Sequence, residues 1–155
     1  MEVKAKTVGI IGGMGPEATL DLFYKIIKAT PVKKDQDHIH IIIDNFPQIP
    51  DRTAFLLGKV YHKVFEVEGY KIITPSEEKQ NEVMKIIYSI KAGKIEENVQ
   101  TFEEIIEHMK FLGSELIVLG CTELPILLKY FKPSIPLVDV TSCLAKEVVN
   151  FATGR

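Results

Sequence analysis

Short apolar runs alternate with longer amphipathic segments along most of this sequence. Thr7–Gly12 is a β-branched run that ends in glycines, and His38–Asp44 is a second run with isoleucines at its centre. Both runs predict buried strands, and His38–Asp44 favours a parallel strand covered on both faces. Between them, Leu20–Ile27 repeats apolar residues at helical spacing and follows Pro16, which suits a first helical turn. Strands that alternate with helices predict a parallel sheet.

The same alternation continues to the end of the chain. Further strands are predicted at Tyr70–Ile73, Leu116–Leu119 and Pro136–Val138, and further helices at Thr53–Val67, Ser76–Ala92, Ile95–Leu112, from the Cys121 turn to Phe131, and from Thr141 onwards. A chain of 155 residues has room for one core but not for two complete domains. We therefore predict a single α/β domain over residues 1–155, with one open parallel sheet of about five strands and helices on both faces.

The composition excludes several classes of partner. The net charge of −2 provides no positive field for a nucleic-acid backbone or an anionic membrane, so neither is expected to bind. No apolar run reaches the length of about 18 to 20 residues that a membrane-spanning helix needs. The N-terminus also lacks the pattern of a signal peptide. We expect a cytoplasmic protein whose two cysteines remain thiols.

Three polar loops are predicted at the carboxyl edge of the sheet, where open α/β sheets bind ligands. They are the glycine loop at 12–16, the loop at 47–52 and the turn at 121–123. The glycine loop precedes a helix whose first N–H groups suit an anion, so we assign Gly13, Met14 and Gly15 to substrate binding. The alternative is a tight strand-to-helix turn without a ligand.

The loop at 47–52 contains two prolines that keep its side chains in place. Arg52 can present a two-pronged donor to a carboxylate, and we assign Arg52 and Gln48 to substrate binding. The alternative for Arg52 is an ordinary surface arginine.

Cys121 follows a predicted buried strand and precedes a predicted helix. A thiol at a helix N-terminus can have a lowered pKa, so Cys121 is the candidate catalytic residue. Thr122 is predicted to hydrogen-bond a substrate, and Glu123 is predicted to cap the helix or orient a ligand. The alternative for Cys121 is a buried thiol that fills the core. Cys143 lies one turn before Val148 in the last amphipathic helix and is predicted to be core.

No cofactor or metal is predicted. The four histidines do not have the spacing or company of a zinc site. Gly13-x-Gly15-x-x-Ala18 is a degenerate dinucleotide fingerprint, but its distance to Asp44 exceeds the usual spacing of about 20 residues.

Several motifs together resemble the aspartate/glutamate racemase family. They are Gly9–Thr19, Ile43–Thr53, Leu119–Leu124 and Pro136–Asp139, in this order. Members of that family need no pyridoxal cofactor and hold the substrate between two similar α/β domains, each with one catalytic cysteine. One thiolate removes the α-proton and the opposite thiol returns a proton to the other face. The resemblance implies an isomerase that acts on an acidic amino acid, with Cys121 as the cysteine of the second domain and Arg52 on a substrate carboxylate.

The sequence departs from that family at the other cysteine. It is expected in a Pro-Cys-Asn-Thr-type strand end between the Arg52 loop and the Tyr70 strand, and no such segment is present. After Gly58 the sequence passes from the first domain's second helix to the second domain's first helix. The predicted sheet is therefore merged from parts of two racemase-like domains. Position 81 also departs, with Asn81 where a substrate-binding lysine is frequent.

The missing cysteine leaves three hypotheses open, because inversion needs an acid and a base on opposite faces of the substrate. In the first, a homodimer rebuilds a two-sided site from two Cys121 residues or from another acid. In the second, the site binds an acidic amino acid or exchanges its proton on one face only. In the third, the chain is a shortened relic. We expect a homodimer, because a shortened sheet leaves apolar surface exposed.

Overall fold

The computed structural model describes residues 6–13, 15–48 and 62–155, apart from the side chains at 63 and 64. Its helices and strands in chain order are β1 (Val8–Gly12), α1 (Pro16–Ala29), β2 (Ile41–Asn45), α2 (His62–Val67), α3 (Glu77–Lys91), α4 (Val99–Phe111), β3 (Ile117–Leu119), β4 (Leu137–Asp139) and α5 (Val140–Thr153). Short 3₁₀ helices lie at Asp35–Asp37, Glu96–Asn98 and Leu124–Lys129. None of the described helices is long and apolar enough to span a lipid bilayer.

The described strands form two separate parallel sheets. β1 pairs with β2, starting with Val8 opposite Ile41, and β3 pairs with β4, starting with Ile117 opposite Leu137. Each of these sheets has two strands. The predicted α/β class with parallel pairing is therefore confirmed, whereas the described residues do not form the predicted single sheet of about five strands.

The third predicted strand, Tyr70–Ile73, is irregular backbone. Gly69 adopts a φ of 81° at the end of α2, and the Tyr70 N–H donates a hydrogen bond to the Phe65 carbonyl. Strand propensity is expressed only where a neighbouring strand supplies hydrogen bonds and packing. None of the described strands pairs with Tyr70–Ile73.

Two hydrophobic clusters hold the two sheets. The N-terminal core contains Ile10, Ile26, Ile39, Ala145, Val149 and Ala152. The C-terminal core contains Ile86, Ile87, Ile90, Phe102, Ile105, Ile106, Leu119, Leu124, Ile126, Leu127 and Ile135. α5 is the last helix of the chain but packs against α1, so it completes the N-terminal core.

One face of the β1–β2 sheet is not covered by any described residue. Ile11 and Ile42 lie on this face and are 91% and 58% exposed. Ile10, on the opposite face, is buried in the N-terminal core. The prediction that β2 is covered on both faces is therefore wrong within the described part of the chain.

A charged contact joins α1 to the end of β4. Lys25 Nζ lies 2.6 Å from Asp139 Oδ2 and also pairs with Asp21, one turn away on α1. Asp139 Oδ1 accepts hydrogen bonds from the backbone N–H groups of Thr141 and Ser142, so Asp139 is the N-cap of α5. Burial acts to raise the pKa of Asp139, but hydrogen bonds from Lys25 and Ser142 outweigh it and lower that pKa. This contact joins α1, which packs in the N-terminal core, to the β3–β4 sheet.

Candidate active site

Residues 121–123 form a bend between β3 and the 3₁₀ helix Leu124–Lys129. Leu119 before the bend and Leu124 and Leu127 after it belong to the C-terminal core. The bend is therefore anchored at both ends. The helix predicted after the Cys121 turn is present as this 3₁₀ helix, which makes i→i+3 hydrogen bonds such as Ile126 N–H to the Glu123 carbonyl.

The Glu123 carboxylate is the centre of this bend. Glu123 is only 5% exposed. Its Oε2 accepts a hydrogen bond from the Cys121 thiol, with Sγ at 2.9 Å, and another from the Thr122 hydroxyl at 3.0 Å. Two neighbouring side chains therefore satisfy the same carboxylate oxygen.

Gly15, in the glycine loop before α1, lies against this bend. A Cβ atom at position 15 would lie 2.6 Å from Glu123 Oε1, which is closer than real Cβ contacts come. Gly15 has a φ of −105°, so the position needs glycine for the close approach of Glu123 and not for its backbone angle. The structure thus brings together Gly15, Cys121, Thr122 and Glu123, as the sequence analysis predicted for the loops at 12–16 and 121–123.

The pKa of the Cys121 thiol is raised to about 12. Burial is the main cause, and the hydrogen bond to Glu123 adds to it because it holds the proton on sulfur. The Glu123 backbone N–H and the Lys91 charge act in the opposite direction but are outweighed. The predicted lowering of this pKa is therefore wrong, because burial and the hydrogen-bonded Glu123 carboxylate outweigh the groups that favour the thiolate.

Lys91 is a charged residue whose effect on Cys121 was not predicted from the sequence. It is the last residue of α3, and its positive charge acts on Cys121 to lower the thiol pKa. Its position before the Ala92-Gly93 turn is visible in the sequence. Its proximity to Cys121 depends on how α3 packs in the C-terminal core, which residue spacing alone does not predict.

The assignments of all these residues to substrate binding or catalysis stay predictions. Gly13 is half-buried directly after β1, and Gln48 is exposed after β2. Met14 and Arg52 lie outside the described residues.

Cys143 is exposed, so its assignment to the core is wrong. The buried positions of α5 are Thr141, Ala145, Val149 and Ala152. Cys143 is two residues, or about 200° of helical rotation, from both Thr141 and Ala145. It therefore lies on the side of the helix away from the core.

In the described part of the chain, no cluster of three or more His, Cys, Asp or Glu side chains is arranged to hold a metal ion.

Comparison with known proteins identifies the family. The family model for Asp/Glu/Hydantoin racemase matches residues 53–148. A protein of Pectobacterium carotovorum subsp. carotovorum, described as "Uncharacterized protein in pnlA 3'region", is 31% identical over 101 residues, which cover 64% of this chain and 67% of that protein. The broad specificity amino-acid racemase RacX of Bacillus subtilis is 28% identical over 126 residues, covering 72% of this chain and 53% of that protein. The chain thus spans about two thirds and about half of these two relatives.

Solved structures show the same fold. Picrophilus torridus aspartate racemase matches with a TM-score of 0.76 and 22% identity, over 95% of this chain and 94% of that one. An aspartate racemase homologue from Pyrococcus horikoshii OT3 matches with a TM-score of 0.71 and 19% identity, over 96% of this chain and 99% of that one. Together with the matching family model, this likeness confirms the resemblance drawn from the sequence motifs: the chain belongs to the Asp/Glu/Hydantoin racemase family.

Proposed function

We propose that this protein exchanges the α-proton of an acidic amino acid through the Cys121 thiol, without a cofactor. The observation that carries the proposal is the Cys121–Glu123 hydrogen bond of 2.9 Å beside the glycine loop. A thiol in contact with a carboxylate is a pair between which a proton can move. Proton transfer at carbon is the chemistry that the family's name implies.

The acidic substrate is inferred from charge as well as from the family. The Lys91 charge acts on Cys121, so an anion bound beside the thiol is attracted to that lysine. The N-terminus of α1 begins at Pro16, next to Gly15, and its positive dipole end also favours an anion. Arg52 and Gln48 are proposed to bind a second carboxylate. An acidic amino acid has two carboxylates and would use both positions.

Inversion requires a second proton donor on the opposite face of the substrate. We infer that a homodimer supplies it, either from the Cys121 of a second copy or from another acid. The exposed isoleucines of the β1–β2 sheet, Ile11 and Ile42, support self-association because they form an uncovered apolar face. Size-exclusion chromatography with light scattering tests this inference, and a monomer at high concentration would contradict it.

Proton NMR in D₂O tests the proposed reaction. The α-proton signals of L- and D-aspartate and of L- and D-glutamate are followed with the protein, and L-alanine is the control without a side-chain carboxylate. Loss of the α-proton of at least one acidic amino acid, with alanine unchanged, is expected. Appearance of the opposite enantiomer, measured by chiral chromatography of the same samples, would extend the reaction to racemisation.

A binding protein for an acidic amino acid is the alternative function. The raised pKa of Cys121 favours it, because a thiol that keeps its proton is a weak base toward carbon. Under this alternative, titration calorimetry detects binding of aspartate or glutamate while NMR detects no exchange of the α-proton. Exchange with any of the four compounds would exclude it.

A further inference from the structure

We infer that Glu123 is a positioning residue that takes the proton of the Cys121 thiol and exchanges it with water through the Thr122 hydroxyl. This inference rests on the proposed function. It differs from the role in substrate binding that the sequence predicted for Glu123 and Thr122, and three observations carry it.

The first observation is the chain of hydrogen bonds. The Cys121 thiol and the Thr122 hydroxyl both donate to Oε2 of Glu123, at 2.9 Å and 3.0 Å. Thr122 is exposed, whereas Glu123 is buried. A proton that leaves the thiol therefore reaches solvent through one carboxylate oxygen and one hydroxyl.

The second observation is that Glu123 has little surface left for a substrate. Its Oε2 is occupied by two donors, and its Oε1 lies against Gly15 so closely that a Cβ there would clash at 2.6 Å. Oε2 is thus fixed by two donors, and Oε1 occupies the space that the missing Cβ of Gly15 leaves open. Such a fixed acceptor is suited to proton transfer, which needs a constant donor–acceptor distance.

The third observation concerns charge. An acidic amino acid carries negative carboxylates, which a buried glutamate repels. Glu123 is therefore a poor direct ligand for that substrate. The charged groups that act on the thiol are Glu123 on its own bend and Lys91 from α3, and Lys91 is the one that attracts the substrate.

The proton balance of the step is simple. The Cys121 S–H bond breaks and an O–H bond forms on Glu123, which leaves a thiolate held by the Glu123 backbone N–H and the Lys91 charge. The thiolate then takes the substrate α-proton, and the electron pair of the broken C–H bond moves into the substrate carboxylate. Glu123 gives up its proton to water through Thr122 and, now ionised, accepts the substrate-derived proton from the thiol. After that proton is exchanged with water along the same path, Glu123 returns a solvent-derived proton to sulfur. The thiol then delivers this proton to the carbon, and the electron pair returns from the carboxylate to the new C–H bond.

The experiment compares Glu123→Gln with Glu115→Gln, both in a Cys143→Ser background so that Cys121 is the one thiol. Glu115 is exposed just before β3 and is the matched control. Two quantities are measured: the rate of α-proton loss from aspartate in D₂O, and the pH at which the thiolate absorbance near 240 nm appears. The glutamine keeps the size of the side chain but cannot accept the proton.

We expect the thiolate to become more abundant in Glu123→Gln while the rate of α-proton exchange falls. In Glu123→Gln the thiolate forms at a lower pH, because a carboxylate that held the thiol proton is gone. The exchange rate nevertheless falls by about 100-fold or more, the usual loss when a general base is removed. Glu123→Asp, which keeps a carboxylate, recovers part of the rate, and Glu115→Gln changes neither quantity.

A merely structural role for Glu123 predicts the opposite pattern. If Glu123 only restrains the thiol, Glu123→Gln exchanges at the parental rate or faster as its thiolate becomes more abundant, and this result overturns the inference. Absence of exchange in the Cys143→Ser parent would overturn the proposed function instead. Circular dichroism of each variant excludes misfolding as the cause of a lost rate.

Discussion

The half of the molecule around the C-terminal core and the half around the N-terminal core differ in how completely they bury their apolar residues. The C-terminal half packs α3, α4 and the β3–β4 sheet around eleven buried residues and holds the Cys121 bend at both ends. The N-terminal half borrows α5 from the end of the chain and still leaves one face of the β1–β2 sheet uncovered by described residues. The comparison indicates that the C-terminal half holds the Cys121 thiol in place, whereas the N-terminal half places Gly15 against Glu123.

Truncating one apolar side chain in each half gives the largest expected difference. Leu127 is 0% exposed, six residues after Cys121, so Leu127→Ala should lower the free energy of unfolding by about 2 to 5 kcal/mol. Ile11→Ala, in the uncovered face, should cost less than about 1 kcal/mol at protein concentrations low enough to keep the chain monomeric. Urea denaturation followed by circular dichroism measures both under these conditions. An equal cost for the two substitutions would mean that Ile11 is buried within one chain, and the comparison would have to be revised.

Substitutions at two glycines test the contact between Gly15 and Glu123. Gly15→Ala introduces a Cβ that clashes with Glu123, and we expect a cost of about 1 to 3 kcal/mol together with slower α-proton exchange. Gly9→Ala is the matched control, because a Cβ at that position has no atom within 4 Å. Its stability should be unchanged or slightly increased. Parental stability and exchange in Gly15→Ala would show that Glu123 moves away at no cost.

Substitutions of Asp139 test its contact with Lys25, which joins β4 to α1. Asp139→Ala removes both the N-cap of α5 and the ion pair with Lys25, and we expect a loss of about 1 to 2 kcal/mol. Asp139→Asn keeps a good N-cap residue and removes only the charge, so it should lose about 1 kcal/mol or less. Thermal unfolding of both variants separates the two contributions. A larger loss in Asn than in Ala would contradict this division.

The same residue predicts an acid-dependent effect, which is the smallest of this series. Because the folded-state pKa of Asp139 is lowered, its charge stabilises the fold above its unfolded pKa of about 3.9, and that stabilisation is lost as the pH falls through the folded pKa. The stability difference between the parent and Asp139→Asn should therefore shrink between pH 6 and pH 3. A difference that stays constant with pH would show that the Lys25 contact does not act through the Asp139 charge.

Local patterns in the sequence predict the outline of the fold correctly. The β-branched runs become β1 and β2, and Pro16 begins α1. Ser76 caps α3 by accepting a hydrogen bond from the Lys79 N–H, as its position before that helix predicts. These features depend on neighbouring residues alone, so sequence patterns are sufficient for them.

Features that depend on distant packing were not predictable in the same way. The strand propensity of Tyr70–Ile73 has no partner among the described strands, and α5 turns Cys143 away from the N-terminal core. At the site, Gly15 and the Cys121 bend were both predicted at the carboxyl ends of strands of one sheet; they do meet, although β1 and β3 belong to separate sheets. The raised pKa of Cys121 was not predicted, because it depends on burial and on the Glu123 contact.

The decisive measurement for a role of the Cys121 thiol is the α-proton exchange of aspartate in D₂O, compared between Cys121→Ser and Cys143→Ser. The two variants remove one thiol each, one beside Glu123 and one exposed on α5. The account predicts that Cys143→Ser keeps the parental rate and that Cys121→Ser loses at least about 100-fold. Equal rates in the parent and in Cys121→Ser would contradict it, because the proton would then move without the thiol to which this account assigns the reaction.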